Sequence, residues 1–267
     1  LNKGVCIAMD VNTGAILAMV TTDGYDLNNP YELSAKDKKK IKSTPKKKQA
    51  EAESAALSNM WRNKAVADTY MPGSVFKMCV ASAALEENLV NEKTSFTCTG
   101  SILVEGETIH CSNIAGHGTQ NFVEVISNSC NPAFIQIGQM LGAGKFRQYY
   151  QGFGFSDKTG IDLPGEAEDS FWKEGKMGGV DLAVASFGQN FTITPIQMIT
   201  ACAAVSNGGY VVQPHVVSKI TDSKGNVIKT VDKKVKRQVI SDNTSKKMNE
   251  YLEYNTERQG AAAGYIS

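Results

Sequence analysis

The sequence has no long apolar run and almost no net charge. Among its 267 residues, no stretch reaches the roughly 18 consecutive apolar residues of a membrane-spanning helix. The first residues, Leu1-Asn2-Lys3-Gly4, also lack the apolar centre of a signal peptide. The formal charge of +1 argues against the wide basic surface that nucleic-acid binding requires. A hydrophobic fraction of 42 %, by contrast, is ordinary for a globular protein and predicts a sizeable core.

The sequence also lacks the short cysteine and histidine spacings that mark metal sites. It contains six cysteines and three histidines, but no C-x-x-C pair. The histidines His110, His117 and His215 are separated along the chain. We therefore expect neither a metal site nor a cofactor.

The basic residues are unevenly distributed. Eight lysines lie between Lys36 and Lys48, interrupted by Pro45, with no aromatic residue among them and no apolar face. Such a run is typical of a solvated segment. We expect a lysine-rich loop over about residues 34–49 and no nucleic-acid partner.

Hairpins are predicted where apolar runs are joined by turn residues, and two of them lie in the first half of the chain. The first run, 5–11, is separated from the second, 15–21, by Asn12-Thr13-Gly14. A later pair, 96–104 and 107–111, turns at Glu105 and Gly106. Both pairs indicate antiparallel strands.

Cys98 and Cys111 flank the second hairpin. A two-residue turn places Cys98 opposite Asn113, so a disulfide between the two cysteines needs a longer loop or a bulge. Two free thiols are favoured, and the disulfide remains an alternative.

The segment from Val75 to Leu85 is apolar on nearly every side, which predicts a buried helix. Ser74 lies in its first turn, and Lys77 projects from the same face three residues later. A lysine that desolvation keeps neutral can take the proton of a serine and activate it as a nucleophile. Alternatively, Ser74 is a helix cap and Lys77 a surface side chain, because Ser-x-x-Lys alone occurs often by chance.

Further helices are predicted from apolar spacing and capping residues. They cover residues 50–60, 122–128, 132–141 with a break at Gly142 and Gly144, 181–187, 195–205 and 241–254. Asn131 before Pro132 fits a helix N-cap followed by a first helical residue. Structure alone can therefore explain Asn131.

A second motif favours the catalytic interpretation of Ser74 and Lys77. Ser74-x-x-Lys77 is followed about 50 residues later by Ser129-x-Asn131, in the order found in penicillin-binding proteins and class A β-lactamases. Other stretches resemble the transpeptidase domain of class B penicillin-binding proteins in the same order: Met9 to Met19, Asp68 to Ser74, Lys158 to Glu166, Ser186 to Gln189 with Thr194-Pro195, and Asn207-Gly208-Gly209. This resemblance covers nearly the whole chain and implies that residues 1–267 are one such domain, incomplete at its C-terminus.

The resemblance implies an α+β fold of the β-lactamase and transpeptidase type, with an antiparallel sheet flanked by helices and an all-helical subdomain. It assigns Ser74 as the acylated nucleophile and Lys77 as its base. It assigns Ser129 as the proton relay to the leaving amine, and Asn131 as a hydrogen-bond partner of Lys77 and of the substrate amide.

The implied activity is peptidoglycan D,D-transpeptidation, with stem peptides ending in D-alanyl-D-alanine as substrates and β-lactams as inhibitors. The implied location is the extracytoplasmic face of the bacterial membrane, with an anchor upstream of Leu1 and cell-wall synthesis proteins as partners. The alternatives are a serine β-lactamase of related fold and a non-catalytic penicillin sensor or scaffold.

The family has a third motif, Lys-Thr/Ser-Gly, on a strand opposite the nucleophile. Lys158-Thr159-Gly160 matches it in letters, but Gly154 and Pro164-Gly165 bracket it too closely for a strand. We predict a structural loop there. The resemblance places the catalytic copy shortly after a Gly-Tyr such as Gly264-Tyr265, so the third motif and the last strands are expected beyond Ser267.

Overall fold

The computed structural model describes residues 4–22, 24–167, 171–172 and 175–259, the last three of these as backbone only. The helices are α1 Ala35–Lys42, α2 Lys46–Trp61, α3 Lys64–Ala67, a 3-10 turn Gly73–Phe76, α4 Lys77–Glu86, α5 Phe122–Ser127, α6 Asn131–Gly152, α7 Gly179–Ala185, α8 Pro195–Ser206 and α9 Asp242–Gln259. The strands are β1 Val5–Met9, β2 Ile16–Thr21, β3 Ser95–Cys98, β4 Ser101–Val104, β5 Glu107–His110, β6 Gly118–Asn121, β7 Tyr210–Val212, β8 Lys219–Thr221, β9 Val227–Thr230 and β10 Val235–Gln238.

Helix α4 lies at the centre of the core, as its sequence predicts. Eight of its ten residues are buried, and α6, α8 and α9 pack around it. Small residues such as Ala81 and Ala84, both 0 % exposed, allow these helices to approach closely. Phe76 just before α4 meets a group of aromatic rings, with its nearest ring centroid, that of Phe191, at 4.8 Å. The buried helix predicted for residues 75–85 is confirmed.

Helix α6 bends at Gly142, where the backbone takes φ 70° and ψ 158°. These angles lie outside the helical region and suit glycine, which has no Cβ. The predicted break at Gly142 is therefore confirmed, whereas Gly144 continues the helix. The first half of α6 is the more deeply buried and includes Phe134 and Ile137.

The described strands form five antiparallel pairs of two strands each. The predicted hairpin of β1 and β2 is confirmed, and its turn is bridged to the segment at His215 by Ala15. The hairpin of β4 and β5 is confirmed too, with Val104 opposite Glu107.

The predicted strand 96–104, however, is two strands. Gly100, with φ 95°, turns the chain between β3 and β4. Strand β3 consequently pairs with β6, which places Cys98 opposite Gly118.

The lysine-rich segment is helical, so the prediction of a loop over residues 34–49 is wrong. Ser34 caps α1 by accepting a hydrogen bond from the backbone N–H of Asp37. Lysine has a high helix propensity, and three lysines lie in the last turn of α1, where they complement the helix dipole. Helices α1 and α2 contain no buried residue. The segment is therefore exposed to solvent, as expected, but it forms helices.

Helix α9 begins after Ser241, as predicted, and continues past the predicted end to Gln259. The carboxylate of Glu86 at the end of α4 accepts hydrogen bonds from the backbone N–H and the hydroxyl of Ser241. This contact joins the start of α9 to the central helix. No helix among the described residues has the length and apolar content needed to cross a bilayer.

Substitution of Met248 in α9 tests how much the packing of this helix against the core contributes to stability. Its side chain is 0 % exposed, whereas Met140 on α6 is 44 % exposed. We expect Met248→Ala to lower the free energy of unfolding by about 2–5 kcal/mol, because it leaves a cavity in the core. Met140→Ala is expected to change it by at most about 0.5 kcal/mol. Urea unfolding of both variants measures the difference, and equal losses would contradict the packing described.

Candidate active site

The amine of Lys77 is the centre of a compact polar site. Its Nζ atom lies 3.2 Å from Ser74 Oγ, 2.9 Å from Ser129 Oγ, 2.7 Å from the Ser129 carbonyl oxygen and 2.7 Å from Asn131 Oδ1. The fold thus brings together all four residues that the motifs single out. Two of them lie in the α4 segment and two lie more than 50 positions later in the chain.

Ser74 is held by the turn that begins α4. Gly73 has φ 59° and donates its N–H to the carbonyl of Gly188 at 2.9 Å. Tyr70, three residues earlier, forms an antiparallel bridge with Ile193. A Cβ atom on Gly188 would lie 2.1 Å from the Gly73 carbonyl oxygen. Only glycine at position 188 therefore allows this approach.

Ser129 is positioned by the end of α5. It has φ 49°, a left-handed conformation that is uncommon outside glycine. The N–H of Ser129 donates to the Ile126 carbonyl, and the N–H of Cys130 donates to the Val125 carbonyl. This pattern is a left-handed helix ending, which turns the Ser129 side chain toward Lys77.

Asn131 does not cap its helix, contrary to the prediction. The N-cap position is Cys130, and Asn131 is the first residue of α6. Its side chain faces the site instead: Oδ1 accepts from Lys77, and Nδ2 donates to the His110 carbonyl at 3.3 Å. The second bond fixes the orientation of the amide.

Burial controls the charge of Lys77. The side chain is 4 % exposed, and this desolvation lowers its pKa to about 8, while the nearby Cys111 and Cys130 oppose the shift. The ring of Phe134, whose centroid is 5.4 Å from Nζ, also favours the charged form. Near neutral pH a useful fraction of this amine is therefore unprotonated.

The four oxygens around Lys77 suit a neutral amine. The Ser129 carbonyl and Asn131 Oδ1 can only accept hydrogen bonds, and they take both N–H groups of an NH₂. The remaining lone pair then faces the two hydroxyls, either of which can donate to it. The arrangement can therefore accept a proton from Ser74 or Ser129.

Lys158-Thr159-Gly160 lies in a loop, as predicted. The Glu166 carboxylate accepts hydrogen bonds from the backbone N–H of Thr159 at 2.5 Å and from that of Gly160 at 3.1 Å. Gln213 Nε2 donates to the Gly160 carbonyl at 2.5 Å. These bonds give the tripeptide a structural role. The predicted landmark Gly264-Tyr265 lies outside the described residues.

A cluster of thiols and an imidazole adjoins the site. The ligand atoms of Cys98, Cys111, His117 and Cys130 all lie within 4.8 Å of one another. The spacing of these residues along the chain gave no indication of this group, because the pairing of β3 with β6 joins residues that are distant in sequence. Cys98 and Cys111 are free thiols, as favoured. The signal that sequence analysis overlooked is the glycines within two positions of Cys98 and His117, in Cys98-Thr99-Gly100 and Gly116-His117-Gly118.

The contact between Gly188 and Gly73 is testable with a matched pair of glycines. We expect Gly188→Ala to lower the free energy of unfolding by about 2–5 kcal/mol, because it adds a clash to the cost of a left-handed alanine. Gly225, with φ 86°, has no atom near its Cβ position, so Gly225→Ala is expected to cost only about 1–2 kcal/mol. Urea unfolding compares the two, and equal costs would show that Gly188 does not restrain the Ser74 turn.

Comparison with known proteins identifies relatives of this chain. The family model for the penicillin binding protein transpeptidase domain matches residues 4–266. The chain is 39 % identical over 253 residues to stage V sporulation protein D of Bacillus subtilis, covering 93 % of the chain and 35 % of that protein. It is 30 % identical over 228 residues to peptidoglycan D,D-transpeptidase MrdA of Acinetobacter baumannii, covering 80 % of the chain and 32 % of that protein. The chain thus spans about a third of each of these relatives.

Solved structures agree on the fold. The D,D-transpeptidase domain of a peptidoglycan glycosyltransferase from Eggerthella lenta has a TM-score of 0.81 at 24 % identity, over 96 % of this chain and 61 % of that one. The imipenem acyl-enzyme complex of penicillin-binding protein A from M. tuberculosis has a TM-score of 0.79 at 25 % identity, over 97 % and 59 %. The α+β transpeptidase-like fold expected from the motifs is confirmed. The chain belongs to the penicillin-binding protein transpeptidase domain family.

Proposed function

We propose that this chain is the catalytic domain of a peptidoglycan D,D-transpeptidase that acts through a Ser74 acyl-enzyme and is acylated by β-lactams. One observation carries the proposal: a buried, depressed-pKa lysine lies within hydrogen-bond distance of two serine hydroxyls and an asparagine carbonyl. Membership of the transpeptidase family supports it, as do relatives named peptidoglycan D,D-transpeptidase.

In the first half-reaction, neutral Lys77 takes the Ser74 proton while Oγ attacks the carbonyl carbon between the two D-alanines. The carbonyl electron pair moves to its oxygen, and a tetrahedral intermediate forms. When it collapses, the C–N bond breaks. The Ser129 hydroxyl, in contact with Lys77, passes a proton to the departing amine and is reprotonated by the lysine.

In the second half-reaction, an amine on a neighbouring stem peptide attacks the ester carbon. Its proton returns through Ser129 to Lys77, the C–Oγ bond breaks, and Ser74 recovers its proton. Asn131 holds Lys77 through Oδ1 and presents its amide to the substrate. A β-lactam reacts through the same first step, but its amine stays tethered to the acyl group, so the acyl-enzyme persists.

The substrate fixes the place of action. Stem peptides lie in the wall, so this domain acts on the extracytoplasmic side of the bacterial membrane, held there by an anchor outside residues 1–267. Other cell-wall synthesis proteins are its expected partners.

Ser74 is expected to be the single residue labelled by a fluorescent penicillin, because its hydroxyl contacts Lys77 and lies in the turn that begins α4. Labelling is measured by gel fluorescence and peptide mass mapping on the chain and on a version extended through the expected third motif. Ser74→Ala should abolish it. Ser82→Ala on the same helix, whose hydroxyl donates to the Met78 carbonyl, should retain it.

A chromogenic cephalosporin then separates a transpeptidase from a β-lactamase. The proposal requires one stoichiometric burst without turnover. Labelling that survives Ser74→Ala, or rapid steady-state hydrolysis, contradicts it.

The acylation rate is expected to rise with pH. Below a Lys77 pKa of about 8, the neutral fraction, and with it the rate, falls about tenfold per pH unit. Above that value the rate should level off. Stopped-flow quenching by a fluorescent penicillin gives the profile.

Lys77→Arg should lower the rate about 100-fold or more, because guanidinium does not release its proton in proteins. Lys64 is the matched control, since it is also buried, at 7 % exposure, and donates to the Thr22 carbonyl away from the site. Lys64→Arg should keep both the rate and the profile. Near-normal acylation in Lys77→Arg would rule out its role as base.

A further inference from the structure

We propose that the lysine-rich helices bind uncrosslinked peptidoglycan as a polyanion and hold it beside the catalytic site. The segment 34–61, which consists of α1, α2 and the residues next to them, is called the lysine arm below. The choice of this polymer and its catalytic consequence rest on the proposed function.

Positive charge is concentrated on the lysine arm. Residues 36–48 contain eight lysines and one acidic residue, Asp37, which gives them a net charge of +7. The whole chain has a net charge of +1, so the remaining residues carry a net charge of −6. An anionic polymer is therefore attracted to the lysine arm and not to the protein surface as a whole.

The eight lysine side chains of the arm are all exposed to solvent. The half-buried side chains of α2 include a stripe at helical spacing, formed by Gln49, Ala52, Ala56 and Met60. Residues three and four apart lie on one helix face, so this stripe faces inward. The ammonium groups consequently lie on the accessible side of the arm, where a long polymer can reach several of them at once.

Most of this charge has no partner within the fold. Of the eight lysines, only Lys38 forms an ion pair with another described residue, Glu32, at 3.2 Å. Residues 46–48, all lysine, occupy the first turn of α2, where the helix dipole disfavours positive charge. Pro45 provides no side-chain cap there, and the turn contains no acidic residue. The folded arm thus carries uncompensated charge, which a bound polyanion neutralises.

The polymer on which the proposed function acts is a polyanion. Each uncrosslinked stem peptide ends in a free D-alanine carboxylate, and stem peptides recur along the glycan strand. Lysine is a hydrated point charge on a flexible stem, which pairs with mobile carboxylates without a fixed geometry. Arginine suits rigid bidentate recognition instead, and the lysine arm contains no arginine.

A membrane surface fits the lysine arm less well. Helices that lie in a membrane interface bury an apolar face beside their charges. Ile41, the one large apolar residue of the segment 36–48, is half-buried. Trp61, at the base of the arm, donates to the Pro30 carbonyl at 2.6 Å and meets Tyr31 edge-on. The lysine-bearing segment therefore suits a hydrated polymer better than a lipid phase.

The lysine arm is connected to the catalytic turn by a buried segment. Helix α3 follows α2 almost directly, and its Ala65 and Val66 are 0 % exposed. Thirteen positions separate Trp61 from Ser74, so their α-carbons lie within about 45 Å of each other. A strand bound to the arm thus keeps its stem peptides close to Ser74, which raises their effective concentration there.

Sedimentation with insoluble peptidoglycan tests the binding. The probe is wall material freed of phosphate-containing polymers by hydrofluoric acid. The chain should sediment with it at about 0.05 M salt and be released at about 0.5 M, where charges are screened. Peptidoglycan whose carboxylates have been amidated should bind the chain about 10-fold less tightly. This comparison needs no substitution in the protein.

Two variants of equal charge locate the binding surface. The arm variant replaces four lysines by glutamine, which keeps a similar helix propensity: Lys39→Gln, Lys40→Gln, Lys46→Gln and Lys47→Gln. The control variant removes the same charge from exposed lysines outside the arm: Lys219→Gln, Lys224→Gln, Lys229→Gln and Lys246→Gln. The arm variant should bind peptidoglycan about 10-fold less tightly or weaker still, and the control variant should bind like the parent chain.

Several results would overturn the binding proposal. They are a parent chain that does not sediment, equal losses in the two variants, and unchanged binding after amidation of the carboxylates. Retention only by walls that keep their phosphate polymers would overturn it as well. Tighter binding to vesicles of phosphatidylglycerol and phosphatidylcholine than to peptidoglycan would assign the arm to a membrane and contradict the polymer named here.

The catalytic consequence has its own measurement, on the chain extended through the expected third motif. In the arm variant, release of D-alanine from peptidoglycan should show a KM raised about 10-fold with kcat unchanged. Penicillin labelling of Ser74 needs no polymer and should keep the parent rate. An unchanged KM overturns the catalytic consequence. Peptidoglycan binding by a chain whose Ser74 is never labelled contradicts the proposed function and leaves the binding surface standing.

Discussion

The site depends on one constraint, the burial of an amine. Lys77 is 4 % exposed on a helix whose other contacts are almost all apolar, so its nitrogen must find its hydrogen bonds inside the protein. Four oxygens from three residues supply them. The same burial that makes these partners necessary also lowers the pKa of Lys77 to about 8. Desolvation therefore creates both the need for the polar contacts and the reactivity of the amine that receives them.

Unusual backbone conformations bring these oxygens to the amine. Gly73 and Ser129 both have positive φ, and Gly188 has to be a glycine to accept the Gly73 turn. A left-handed serine costs about 1–3 kcal/mol, and it persists because two backbone hydrogen bonds at the end of α5 enforce it. Local strain at the site is thus held by regular helices on either side of it.

The sequence predicts the parts of the fold that depend on local pattern. The buried helix before Leu85, the hairpin of β1 and β2, and the break at Gly142 all follow from apolar spacing and glycine. It fails where helix propensity acts without burial, as in the lysine-rich helices, or where pairing is non-local, as in β3 with β6. For the site, motif order selected Lys77 and the three residues that contact its amine. The group formed by Cys98, Cys111, His117 and Cys130 was missed because its members become neighbours only after β3 and β6 pair.

The same non-local pairing makes the strands near the site depend on their contacts with the core. Strands β3 to β6 have four residues each and form two separate two-stranded sheets, and such pairs are marginal by themselves. Two of the buried residues that join them to the core are Cys98 and Cys111, whose side chains supply less apolar area than leucine or phenylalanine. These strands are therefore stabilised by packing against α6, which contacts both β3 and β5. Since α6 begins at Asn131, which contacts Lys77, the stability of the strand region and the placement of this Lys77 partner depend on the same helix.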